Sequence, residues 1–174
     1  VGKTYSIPTT VLRFFNVYGP RQSLSNPYTG VTAIFTSRIK ESKAPVIYED
    51  GKQTRDFVSV YDVVEASIQA LKTSASHYET FNVGTGKPIP ISEVALTVAR
   101  LFKSSIDPEI TNTFRKGDIR HCFADTKKAE QKLGFKAKIS FQQGMHDLFQ
   151  WSKTESSKDE FDKATKELEE KGLL

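Results

Sequence analysis

Four polar residues stand where a ligand anion could be held: Asn16 in FFNVYGP, Arg55 in DGKQTRDF, and Arg115 with Asp118 in RKGDIR. Each falls where a run of strand-forming residues gives out. In open α/β sheets, ligands bind beyond the carboxyl ends of strands, so such positions are the natural place for a site. Two guanidiniums and an amide suit a pyrophosphate, because arginine presents a rigid fork of donors to phosphate oxygens. Asp118, three residues after Arg115, is an acceptor suited to the two hydroxyls of a ribose. Any one of the four alone reads as a surface ion pair or a turn residue. Together they point to a nucleotide-like anion.

Other chemistry finds little support. His77, His121 and His146 are dispersed, and the adjacent His121 and Cys122 lack the spacing of metal ligands. No G-x-S-x-G nucleophile elbow occurs. Lys127 and Lys128 have no aromatic residues between them and read as a solvated helix face rather than a nucleic-acid patch.

The elements that must position the four residues alternate in type. Thr9 to Val17 is continuously β-branched, aromatic and apolar, the pattern of a strand buried on both faces of a parallel sheet, and Tyr18-Gly19-Pro20 ends it. After a polar loop, Val31, Ile34, Phe35, Arg38 and Ile39 recur at helical spacing, with Pro45 closing the helix. Val46 to Tyr48 reads as a short strand, Glu49-Asp50-Gly51 as a turn, and Thr54 to Val60 as extended again. Asp62 is the expected N-cap of the next helix, and Thr80 to Val83 the next strand. Gly84-Thr85-Gly86 then turns the chain into a helix starting near Ser92 and Glu93, and Pro108 to Phe114 is expected as a strand. Asp125 caps a helix ending at Gly134, and Ser140 opens a last packed helix through Met145, Leu148, Phe149 and Trp151. Strands alternating with helices argue an α/β fold. The first strand and Thr80 to Val83 look too apolar to be sheet edges, and the sheet they want lies largely outside these residues.

The chain has 174 residues, enough for one core; Lys and Arg number 25 against 21 acids, a net of +4. That mild excess argues against wholesale nucleic-acid binding while leaving room for a local anion site. The charge is uneven, since residues 151 to 174 hold five Lys and seven acids. Residues 1–152 are therefore expected to form the folded body and 153–174 a charged tail, helical or frayed. No apolar run approaches the ~18 residues of a spanning helix, and no signal peptide is recognisable. One cysteine permits no internal disulfide, which fits a cytoplasmic location. The chain starts at Val1 and is soon in strand-like sequence, so it reads as cut from a longer protein.

Four segments, LRFFNVYGPRQ, VIYEDGKQTRDFVSVYDVVEA, FNVGTGKPI and RKGDIRHCFADTKKAEQKLGF, occur in an order and spacing that resembles the C-terminal half of extended short-chain dehydrogenase/reductases. The nearest likeness is to the UDP-glucose 4-epimerase branch of the NAD-dependent nucleotide-sugar epimerases and dehydratases. It covers residues 5 to 152, and four linked segments are far more specific than a lone motif. The fold implied is the C-terminal part of a Rossmann-like protein: a small mixed α/β substrate domain plus strands and helices of an incomplete parallel sheet.

Residue by residue, the resemblance implies that Asn16, Arg55 and Arg115 hold the diphosphate of a UDP-sugar and Asp118 its ribose. It places Val46 and Tyr48 at the uracil, Gly30 and Val31 at a helix N-terminus facing the nucleotide, and Phe15 beside the nicotinamide. In such a parent NAD takes a hydride from C4 of the sugar and returns it to the other face, and the parent is commonly a homodimer. The family's glycine-rich dinucleotide fingerprint and its helical Tyr-x-x-x-Lys pair are not found in these residues. The one Tyr-x-x-x-Lys string, Tyr48 to Lys52, spans a turn, and a turn cannot stack lysine and phenol on one helix face. Gly84-Thr85-Gly86 imitates a dinucleotide loop, but Pro88 intervenes and Ile89 stands where a third glycine belongs. The chain is thus expected to bind a UDP-sugar, no NAD, nucleic acid or membrane, to be inactive alone, and to self-associate through unpaired strands. A related epimerase, decarboxylase or 4,6-dehydratase, or a module without chemistry, is the alternative.

Overall fold

A computed structural model describes residues 1–28 and 30–174. Its elements in order are β1 (Val11–Phe14), β2 (Asn16–Tyr18), α1 (Val31–Lys40), β3 (Val46–Ile47), β4 (Thr54–Ser59), α2 (Val60–Lys72), β5 (Thr80–Val83) and β6 (Pro88–Pro90). Then come α3 (Ile91–Leu101), β7 (Glu109–Ile110), β8 (His121–Cys122), α4 (Lys127–Leu133), α5 (Phe141–Ser152) and α6 (Phe161–Glu170). The architecture is mixed α/β with partial parallel sheets, as the alternation implies.

The run expected as one strand is two. β1 pairs in parallel with β5, Phe14 opposite Val83, and Phe15 N–H still donates to Val83 O at 3.1 Å. One residue later the chain changes partner, and β2 runs parallel to β4 with Asn16 opposite Phe57. Burial on both faces is also corrected for β1: Val11 is 54% and Phe14 49% exposed, because among the described residues only β5 pairs with that strand.

β4 is the organising strand. Successive side chains point to opposite faces, so Phe57 enters one core and Val58 another. The first packs Tyr18, Phe35, Ile47, Val94, Met145 and Leu148 from α1, α3, α5 and their strands. The second packs Val63, Ala66, Phe81, Val83, Leu133 and Phe135 beneath α2 and α4. At the first core, Tyr18 donates its hydroxyl to Phe141 O at 3.2 Å, and burial raises its pKa well above the usual phenol value. A Cβ on Gly144 would lie 2.3 Å from that hydroxyl oxygen, which explains a glycine inside α5.

Several local expectations change. Ser59, not Asp62, caps α2, its Oγ accepting from Tyr61 N–H at 3.4 Å; Asp62 is buried and accepts from Lys138 and Ile139 N–H. β6 was not foreseen, since proline cannot donate to a ladder; it lies antiparallel to β4, with Asp56 opposite Pro88. The strand expected over Pro108 to Phe114 shrinks to β7, paired with β3, and β8 adds a short parallel pairing at Thr54 and Arg55. Ser140 caps α5 as expected, accepting from Gln143 N–H at 3.2 Å. The charged tail is not frayed: α6 folds back onto the body.

Candidate functional site

One cavity of about 370 Å³ is lined by Asn16, Gly30, Val31, Val46, Tyr48, Arg55, Arg115 and Asp118 together. Every residue assigned to substrate from the sequence is on this lining, within the 300–1,000 Å³ span usual for small-molecule sites. Phe15, the residue expected at the nicotinamide, is half-buried at the β1–β2 junction and is not on it.

The floor of the site is a carboxylate shared by two arginines. Arg55 Nη2 donates to Asp118 Oδ1 at 2.8 Å, and Arg115 Nη2 to Asp118 Oδ2 at 3.1 Å. Ile119 N–H also donates to Oδ1, at 3.0 Å. An ionised carboxylate offers about four lone-pair sites, so Oδ1 is filled and one acceptor position remains on Oδ2. In this arrangement Asp118 has room for one further hydroxyl, and it fixes both guanidiniums. Arg55 is further fixed by Nη1 donating to Thr54 O and Arg120 O at 2.9 and 3.3 Å. Arg115 is freer, its guanidinium 5.8 Å from the Tyr48 ring centre and its side chain 46% exposed. Each arginine keeps unused N–H groups for an anion.

The third donor set is the start of α1. Gly30 is its N-cap and makes no side-chain cap bond, so the first amides of the helix lack intrahelical partners and carry the positive end of its dipole. Gly30 and Val31 bring this helix start to the cavity lining.

Two residues that the sequence did not mark support the site. Arg120 bonds Glu49 at 2.6 Å and both oxygens of Asp50 at 2.7 and 2.8 Å, tying the Tyr48–Gly51 turn to the loop that carries Arg115 and Asp118. That bonding holds the Asp50 carboxyl well below the usual carboxylate range. Gln53, on the lining and 6% exposed, donates Nε2 to Tyr48 O at 2.8 Å and leaves Oε1 buried without a partner. The sequence signal for Gln53 was its place between the turn and Arg55, too common a pattern to single it out.

The turn reading of Tyr48 to Lys52 agrees with the structure, where Glu49 and Gly51 have positive φ of 55° and 77°. In the Gly84-Thr85-Gly86 loop the Thr85 and Gly86 amides are committed elsewhere. Asp56, fully buried, accepts from Thr85 N–H and Oγ1, Gly86 N–H and Ala124 N–H at 2.6 to 3.1 Å. A Cβ on Gly84 would meet Asp56 Oδ2 at 2.6 Å. A dinucleotide phosphate cradle needs those amides free, so this loop does not fit NAD. Among the described residues no group of three or more His, Cys, Asp and Glu is placed to hold a metal, and no helix is long and apolar enough to cross a membrane.

Partial parallel sheets with paired arginines, a shared acid and a helix N-terminus at one cavity define an α/β protein with a cavity suited to an anion. Comparison with known proteins gives the family. A family model described as GDP-mannose 4,6 dehydratase matches residues 1–148. A dTDP-L-rhamnose 4-epimerase from Burkholderia thailandensis is 38% identical, over 83% of this chain and 39% of its own length. The UDP-glucose 4-epimerase of Thermotoga maritima, solved with UDP-glucose, has a TM-score of 0.79 at 35% identity, covering 87% of this chain and 48% of that one. The UDP-glucose 4-epimerase of Thermus thermophilus, solved with NAD, scores 0.77 at 31% identity, with 89% and 50% covered. The chain belongs to this family of extended short-chain dehydrogenase/reductases, the nucleotide-sugar epimerases and dehydratases, and spans half or less of the length of these relatives.

Proposed function

We propose that this chain is the UDP-sugar-binding portion of an NAD-dependent UDP-glucose/UDP-galactose 4-epimerase of the cytoplasm. The observation that carries the reading is the pair of arginines held 2.8 and 3.1 Å from one carboxylate on a cavity that also receives the α1 N-terminus. A diphosphate entering there meets two cations and open amides, with Asn16 beside them, while the Tyr48 and Val46 wall takes the base. This anchoring is uniform binding: it holds the nucleotide and leaves the sugar free to turn. Phe15 would face the nicotinamide in the complete enzyme. The NAD and the proton-transfer pair of such an enzyme find no fitting residues here, so the chain alone is expected to bind without turnover. A related decarboxylase or 4,6-dehydratase is the second reading, favoured by relatives whose names differ in nucleotide and sugar.

Calorimetric titration with UDP, UDP-glucose and NAD, each separately, tests this. Saturable binding of both UDP ligands and none of NAD is expected; NAD binding, or failure of every ligand, would overturn it. Conversion of UDP-galactose to UDP-glucose by the pure chain with added NAD would contradict the expected inactivity.

A further inference from the structure

The charged tail carries four residues, Phe161, Ala164, Thr165 and Leu168, at helical spacing on one side of α6. All four line the same cavity as the paired arginines. The helix crosses the cavity from α1 to the arginine loop and is fastened along its length. At its start, Asp159, whose side chain is 2% exposed, bonds Arg38 at 3.2 Å and Lys43 at 2.9 Å; Arg38 also bonds Asp162 at 2.9 Å and stacks 4.7 Å from the Phe161 ring. Midway, the Thr165 hydroxyl lies 3.2 Å from the Tyr48 hydroxyl, and Tyr28 donates to Glu167. At its end, Leu173 O accepts from Lys116 N–H at 2.8 Å, one residue from Arg115.

We infer that the C-terminal helix α6 is a wall of the nucleotide site, which clamps a bound nucleoside diphosphate by staying docked. This rests on the reading of the cavity given above. One observation separates a wall from a plug. The cavity keeps about 370 Å³ with α6 in place, so the helix bounds the space without filling it. Because α6 would touch the ligand, binding and docking are reciprocal: the ligand holds the helix as strongly as the helix holds the ligand.

The test is hydrogen exchange of residues 161–170 in the full chain, without and with UDP at a concentration that calorimetry shows to be saturating. Peripheral helices exchange by local opening. If the opened form binds UDP poorly, UDP slows that exchange, and a slowing of tenfold or more is expected. Unchanged exchange would show that α6 only packs nearby, and faster exchange that it is a plug displaced by ligand; either overturns the inference. The variant Asp159→Ala, outside the cavity lining, should raise the Kd for UDP at least fivefold, and an unchanged or lower Kd in a variant whose α6 exchanges faster also overturns it. If UDP fails to bind the unaltered chain at all, the nucleotide reading itself falls, a distinct result, and the wall with it.

Discussion

Asp118 sits on the cavity expected for it and is already largely engaged there. Its type and distance from Arg115 suited a ribose, yet its oxygens are spent mostly on Arg55, Arg115 and Ile119 N–H. The two arginines it aims are unequal. Arg55 is 15% exposed and also bonds Thr54 O and Arg120 O, whereas Arg115 is 46% exposed and its guanidinium meets Asp118 and the Tyr48 ring. Hydrogen bonds to charged groups are worth ~1.5–3 kcal/mol, and ~1.4 kcal/mol is tenfold in affinity. Arg115→Ala should therefore weaken UDP binding by about ten- to a hundredfold with its melting temperature unchanged. Arg55→Ala should weaken it similarly and also lower the melting temperature, because it removes the Nη1 bonds to Thr54 O and Arg120 O as well. Calorimetry and thermal melts on both variants check this, and equal thermal losses would contradict the asymmetry. At this scale the residue types were legible, since paired arginines, an amide and an acid suit an anion, but their placement was not: Asn16 opens β2, Arg55 is the second residue of β4, and Arg115 lies in the loop between β7 and β8 rather than at a strand's carboxyl end. Gln53 and Arg120 were not legible, since their parts depend on which carbonyl or carboxylate folding brings near.

Among elements, β4 carries most of the organisation, dividing two cores through Phe57 and Val58 while presenting Arg55 to the cavity. Its Asp56 is the internal staple, four hydrogen bonds locking the β5–β6 turn and Ala124 to the strand. An amide in its place turns an acceptor into a donor facing donors. Asp56→Asn is accordingly expected to cost on the order of 3 kcal/mol, read as a lowered urea midpoint with the slope retained; a loss under ~1 kcal/mol would show that the loop finds other partners. Helices α1 to α5 and β5 were readable from periodicity, whereas of the expected caps only Ser140 of α5 holds as a side-chain N-cap. β6 and β8 were not, being short, proline-bearing or polar, and formed only because β4 offers open edges. α6 was half legible: Phe161, Ala164 and Leu168 make a stripe within a charged segment, and what hid its docking was that its partners, Arg38, Tyr28 and Tyr48, lie more than a hundred residues away in sequence.

For the whole molecule, the surface left over is as informative as the core. α2 buries Val63, Ala66 and Ala70 and exposes a second stripe, Tyr61, Val64, Ile68 and Leu71, the last 87% exposed. β1 adds Val11 and Phe14, and among the described residues its ladder is open on one side. An exposed apolar helix face and an open strand edge are each templates for association. The chain is therefore expected to self-associate with rising concentration, and elution as a clean monomer across a wide concentration range in size-exclusion chromatography would refute this. The fold class was plain from the alternation of strands and helices, whereas the openness of β1 was visible only as an excess of apolar residues over available partners.

The cavity walls come from residues as far apart as Asn16 and Leu168. Arg38 and Asp162 are 124 positions apart, Tyr48 and Thr165 117, Arg55 and Asp118 63. Most of its walls meet only across such separations, so the pocket is expected to form after the longest loops have closed, late in folding. A ligand that recognises the finished pocket finds nothing to bind in earlier species. Its stabilisation thus acts almost wholly by slowing the unfolding step, leaving the speed of refolding as it was.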